Sequence, residues 1–125
     1  MAGKILIVDD DRDIRLAFNA RLRGNGYDTA FAEDGVSAIA VARREHPDAI
    51  LLDIGLPAGD GFVVLDRLKD FPELACIPVI VLTARDPQKN EKRVLDLGAF
   101  AFFQKPVDAE ELLSVLRRAL DTGPH

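Results

Sequence analysis

The sequence predicts an α/β domain of the doubly wound class, a five-stranded parallel sheet in the order 2-1-3-4-5 with helices on both faces. Three observations predict it. First, Ile5-Leu6-Ile7-Val8, Ala49-Ile50-Leu51-Leu52 and Val79-Ile80-Val81-Leu82 are short, unbroken apolar runs rich in β-branched residues. Strands covered on both faces read this way. Second, helix-like stretches with recognisable ends lie between the runs. Third, strand starts near residues 4, 27, 49, 78 and 100 recur at spacings of 23, 22, 29 and 22 residues, the length of successive β-α units. Right-handed crossovers between such units place helices on both sides of the sheet.

Taken in order, residues 5–8 make the first strand, and Ile14, Ala17, Phe18 and Leu22 form the inner face of the first helix. Asp11 caps that helix and Gly24-Asn25-Gly26 ends it. Tyr27-Asp28-Thr29-Ala30-Phe31 alternates with polar residues, as an edge strand does. Asp34 caps a second helix with Val36, Ile39 and Ala40 inward, which stops before His46-Pro47. After the strand at 49–52, Asp60 caps a third helix with Phe62, Leu65 and Leu68 inward. Asp86-Pro87 starts a fourth, closed by Gly98 and anchored late by Val94, Leu95 and Leu97. Its polar first turns, with Lys89, Lys92 and Arg93, predict a helix that opens cheaply; those cations suit a partner or a solvated face equally. Phe100-Ala101-Phe102-Phe103 is the fifth strand. Asp108 and Glu111 resemble a capping box for a fifth helix, whose buried stripe is Leu112, Val115, Leu116 and Ala119.

With 125 residues, 48% of them hydrophobic, the chain fits one domain over 1–125, with a core at about 3–120 and a short tail at 121–125. The net charge of −5 argues against non-specific nucleic-acid binding, which requires Lys and Arg against phosphates. No apolar run approaches the ~20 residues that cross a bilayer, and no charged-then-apolar leader precedes Ile5. The lone Cys76 agrees with a reducing compartment, so the expected location is the cytoplasm. Its apolar neighbours suggest an inert thiol, and His46 reads as a surface residue.

Ligands of open parallel sheets bind beyond the carboxyl ends of the strands, where the strand order reverses. Strand one ends in Asp9-Asp10-Asp11, strand three in Asp53, strand four in Thr83 and strand five in Lys105-Pro106. Several carboxylates at one crevice disfavour each other's ionisation, and a bound cation removes the conflict. Hard oxygen donors without a His or Cys cluster favour Mg²⁺. With that ion and Lys105 neutralising phosphoryl oxygens, a carboxylate oxygen of Asp53 can attack phosphorus, and the Thr83 hydroxyl can hydrogen-bond the product.

Lys4 to Asp11, Asp48 to Asp53, Leu56-Pro57, Asp60-Gly61, Val81-Leu82-Thr83-Ala84 and Gln104-Lys105-Pro106 together resemble the receiver domains of two-component response regulators. The resemblance covers roughly residues 3 to 120 and implies the flavodoxin-like receiver fold. It implies a signalling phosphoacceptor that assists its own phosphorylation and dephosphorylation, rather than an enzyme acting on other substrates. Asp53 matches the phosphoacceptor, Asp10 the direct Mg²⁺ ligand, Asp9 a ligand through water, and Gly55 a ligand through its backbone carbonyl. Mn²⁺ is the implied substitute ion. Thr83 and Lys105 match the hydroxyl and cation that engage the phosphoryl group; Phe102 matches an aromatic switch coupled to Thr83, although static packing explains it equally. The resemblance also implies a cis Lys105–Pro106 peptide, which is typical of this family. The implied partners are a sensor histidine kinase or phosphotransfer protein, a downstream protein or a missing output domain, and a phosphorylation-dependent second copy. No nucleic acid or membrane is expected as a direct partner.

Gly55 offers no side chain to shield the phosphoryl group, and Arg85 adds a cation near the rim, so both are expected to tune the lifetime of the phosphorylated state. Unchanged autodephosphorylation in Gly55→Asn and Arg85→Ala would end that idea. The competing reading is a haloacid-dehalogenase-like aspartyl phosphatase, whose Asp-x-Asp-x-Thr/Val signature fails at Asp9-Asp10-Asp11-Arg12-Asp13. Whether the chain is a lone receiver or part of a longer regulator stays open.

Overall fold

The computed structural model describes residues 3–56, 61–84 and 87–122, with the side chains of 87–89 and 122 left out. Pro57, Asp60, Arg85 and Asp86, the side chain of Lys89 and the end of the tail therefore lie outside the described residues. The strands are β1 (Lys4–Val8), β2 (Asp28–Ala32), β3 (Ala49–Asp53), β4 (Val79–Thr83) and β5 (Ala101–Gln104). They form one sheet in the order β2-β1-β3-β4-β5, and every pairing is parallel. The helices are α1 (Arg12–Arg23), α2 (Gly35–Glu45), α3 (Gly61–Leu68), α4 (Pro72–Ala75), α5 (Pro87–Asp96) and α6 (Ala109–Thr122).

Alternation along the strands builds two cores. Leu6, Val8, Ile50, Leu52 and Val81 face α2, α3, α4 and α5, where Ala42, Leu65, Leu74 and Val94 meet them. Ile5, Ile7, Leu51, Ile80 and Leu82 face α1 and α6, where Leu22, Leu112, Leu113 and Leu116 meet them. Burial on both sides is why the interiors of the central strands, Ile5–Val8, Ala49–Leu52 and Val79–Leu82, are wholly apolar.

Local chemistry sets the ends of several helices. Asp11 caps α1, accepting from the N–H groups of Asp13 and Ile14 at 2.9 and 3.4 Å. Asp34 and Ser37 form a reciprocal capping box on α2. Its other end is closed by His46 in the left-handed region (φ 47°), exposed as expected. At α6 the Asp108 side chain accepts from Glu110 N–H at 2.8 Å.

The structure corrects several expectations. The extra length between β3 and β4 holds a sixth helix, the single turn α4, started by Pro72 and anchored by buried Leu74. The fourth and fifth helices of the sequence reading are therefore α5 and α6. On α2 the inner stripe runs through Gly35, Ala38, Ile39 and Ala42, with helical i, i+3, i+4, i+7 spacing. Val36 and Ala40 fall off that stripe and are exposed. Leu95 likewise leaves the α5 stripe that Val94 and Leu97 define, and Ala17 of α1 is exposed. Arg93 does not simply face solvent: its guanidinium lies 3.8 Å above the ring of Phe62, tying α5 to α3. Cys76 is exposed despite its apolar neighbours in sequence.

Candidate functional site

Parallel registry brings the polar strand ends to one edge. Val8 pairs with Leu52, Asp53 with Leu82, and Thr83 with Gln104, so each following or terminal polar residue emerges at nearly the same height. Two further bonds extend the ladder past the strands, from Asp9 N–H to the Ala32 carbonyl (3.1 Å) and from Lys105 N–H to the Thr83 carbonyl (2.8 Å).

Asp9, Asp10 and Asp53 each offer a carboxylate oxygen, and these atoms all lie within 4.8 Å of one another. Asp9 is buried at 2% exposure and Asp53 nearly so at 9%, whereas Asp10 stands in the open mouth. Lys105 Nζ reaches in from β5, 2.7 Å from Asp9 Oδ2 and 3.4 Å from Asp53 Oδ2. The other oxygens are also held: Asp11 N–H donates to Asp9 Oδ1 and Gly55 N–H to Asp53 Oδ1, both at 2.9 Å. Thr83 is buried beside them at the end of β4. The Lys105–Pro106 peptide is cis. Phe102, paired with Val81, is half-buried against the α2–α5 side of the sheet.

The charges here are unevenly satisfied. Burial pushes the Asp9 carboxyl above the ordinary carboxylate value, and its bonds from Lys105 and Asp11 only partly offset that cost. Burial also pulls against the Lys105 ammonium, but the Asp9 hydrogen bond and the charges of Asp53 and Asp9 outweigh it, so its pKa is raised. Lys105 sits among carboxylates, whereas Asp9 shares a single ammonium and is repelled by Asp53. Asp9 is the member of the pair left short of positive charge. A small pocket of hard oxygen donors short of positive charge fits a divalent cation of the Mg²⁺ kind.

Two contributors had no role in the sequence reading: Gly61 enters it only within the Asp60-Gly61 motif, and Arg15 not at all. Gly61 packs directly on the turn after Asp53: its N–H donates to the Ile54 carbonyl at 3.2 Å, and a Cβ there would lie 2.8 Å from the Asp53 carbonyl oxygen. A glycine following a capping-type aspartate was the available signal. Arg15 donates from Nη1 to the Asp9 carbonyl at 2.7 Å, and no local pattern marks it.

The family model of the response regulator receiver domain matches residues 5–117. Response regulator MprA of a Mycobacterium species (strain KMS) is 39% identical over 129 aligned positions, covering 99% of this chain and 55% of that protein. Response regulator PleD of Caulobacter vibrioides is 41% identical, over 94% of this chain and 26% of PleD. Among solved structures, the receiver domain of sensor histidine kinase PA1611 from Pseudomonas aeruginosa has a TM-score of 0.89 and 30% identity. It covers 98% of this chain and 100% of that one, and has a magnesium ion coordinated in its active site cleft. The chain belongs to the response regulator receiver domain family of two-component signalling. It spans about half the length of the MprA relatives and about a quarter of PleD.

Proposed function

We propose that Asp53 accepts a phosphoryl group from a phosphohistidine of a sensor kinase or phosphotransfer protein, and that the resulting charge switches a partner-binding surface. A carboxylate oxygen of Asp53 forms the new P–O bond as the P–N bond of phosphohistidine breaks, and the imidazole leaves with that electron pair and picks up a proton. Asp10, Asp53 and the Gly55 carbonyl would hold Mg²⁺ directly and Asp9 through water, and the ion would supply Lewis-acid charge at the phosphoryl oxygens. Lys105 already spans Asp9 and Asp53 and would carry its ammonium onto another phosphoryl oxygen, while the Thr83 hydroxyl would bond a third. The observation that carries this reading is the convergence of three carboxylate oxygens within 4.8 Å beneath that ammonium.

The switch would run from Thr83 along β5 to Phe102 and the surface of α5, β5 and α6. Exposed Leu95 and Phe100 on that surface suit a protein partner, whether an output domain, a separate target or a second copy. Gly55 and Arg85 would set how long the acyl phosphate lasts. No helix among the described residues is long and apolar enough to cross a membrane.

Incubation with Mg²⁺ and acetyl phosphate should add one phosphoryl mass to Asp53, and Asp53→Asn should abolish it. A mass gain that persists in Asp53→Asn, or none in the wild type, would refute the assignment.

A further inference from the structure

Asp10 is the most exposed of the clustered acids, yet the chain on either side of it is clamped. On one side, the Asp9 N–H donates to Ala32 and the Asp9 carbonyl accepts from the Arg15 guanidinium at 2.7 Å. On the other, the Asp11 carbonyl accepts from the Arg15 backbone N–H at 3.1 Å, as the Asp11 side chain caps α1. One residue thus grips the carbonyls before and after Asp10, with its main chain on one and its side chain on the other.

We infer that Arg15 is a positioning residue, whose guanidinium fixes the Asp9–Asp10 peptide so that the Asp10 carboxylate stays in register with Asp9 and Asp53. A carbonyl bonded to a charged donor resists rotation more than one bonded to water. Rotating the peptide that follows it is the motion that would swing Asp10 out of the cluster. Charge alone works the other way, because a cation close to the pocket opposes another cation. Removing Arg15 would therefore tighten Mg²⁺ binding if only its charge mattered, and weaken it if the clamp matters. The sign of the effect separates the two.

This inference rests on the Mg²⁺ reading above. The test is calorimetric titration of the whole chain with MgCl₂ for wild type, Arg15→Ala and Arg15→Lys, with thermal melts in the absence of metal. Loss of an outer partner of a metal ligand typically costs tenfold or more, so Arg15→Ala should bind about tenfold more weakly and Arg15→Lys, which keeps a charged donor, within about threefold of wild type. Arg15→Met keeps the apolar stem and takes the place of Arg15→Ala if that variant does not fold. Unchanged or tighter binding in Arg15→Ala or Arg15→Met overturns the clamp, as does a folded Arg15→Lys as weak as they are. A wild type that does not bind Mg²⁺ overturns the functional reading and this inference together, a result distinct from failure of the clamp alone.

Discussion

Substituting Gly61 by alanine should injure both stability and phosphoryl transfer, because the Asp53 turn and the start of α3 share no spare space. The added Cβ would lie 2.8 Å from the Asp53 carbonyl oxygen and 2.9 Å from the Ile54 carbonyl carbon, with Ile54 Cα nearer still; ordinary contact begins at 3.4 Å. The obstruction is main chain, and Ile54 is fully buried, so the turn cannot swing aside cheaply. Overpacking of this kind costs ~1–3 kcal/mol, and a net loss of about 2 kcal/mol is expected after the better helix propensity of alanine. Unfolding entropy of about 2.1 cal/mol/K per residue, over 125 residues, turns that into a fall in Tm of roughly 8 °C. Displacing Asp53 by a sizeable fraction of an ångström should slow labelling by acetyl phosphate by up to ~10²-fold. Gly24→Ala is the control: its helical backbone and nearest atom, Ala20 O at 3.2 Å, leave the neighbour only a small adjustment. Melts followed by circular dichroism and initial labelling rates by mass spectrometry read both effects. A Gly61→Ala protein that melts and labels like wild type would refute this account of the turn.

Mg²⁺ at ten times its Kd should stabilise the chain by about 1.4 kcal/mol, a rise in Tm of about 5 °C. Asp53→Asn should lose most of that rise, and a rise equal to wild type would place the ion elsewhere. Lys105→Ala should cost about 2–3 kcal/mol at neutral pH, below the range for a fully buried pair because the lysine side chain is 17% exposed. Asp9 has a folded pKa above its unfolded value, so ionising it costs stability above the folded pKa, and that cost shrinks as the pH falls through it and is gone below the unfolded value. Urea melts from pH 7 downward should therefore show the gap between Lys105→Ala and wild type narrowing; a constant gap would mean that the lysine acts by packing. Asp34→Ala removes the α2 cap and should lower stability by about 1 kcal/mol without changing Mg²⁺ affinity, and a changed affinity would contradict a purely local role.

Much of this molecule was legible before any coordinates. The apolar runs of β1, β3 and β4 suited strands buried on both faces, and the polar residue at or just past the end of each one announced the ligand-binding edge. Asp11 and Asp34 were readable as caps because capping is a contact within one helical turn. The inner faces of α2 and α5 were read less well. Val36, Ala40 and Leu95 are as apolar as their buried neighbours, and hydropathy cannot say which side of a helix meets the sheet. The turn at Pro72–Ala75 was missed because a single turn has too few residues to show a period.

By itself the sequence determined the class of fold, the strand ends that carry chemistry and the residue types gathered there, because strand alternation and capping are short-range properties. Tertiary structure alone decided the rest. Lys105 and Asp9 are 96 positions apart yet meet at 2.7 Å; Gly61 lies under Asp53, and Arg15 grips the Asp9 carbonyl. These contacts follow from sheet registry and from how closely each crossover helix settles on the strands. Both are outcomes of packing the whole chain at once, and no window of neighbouring residues encodes them.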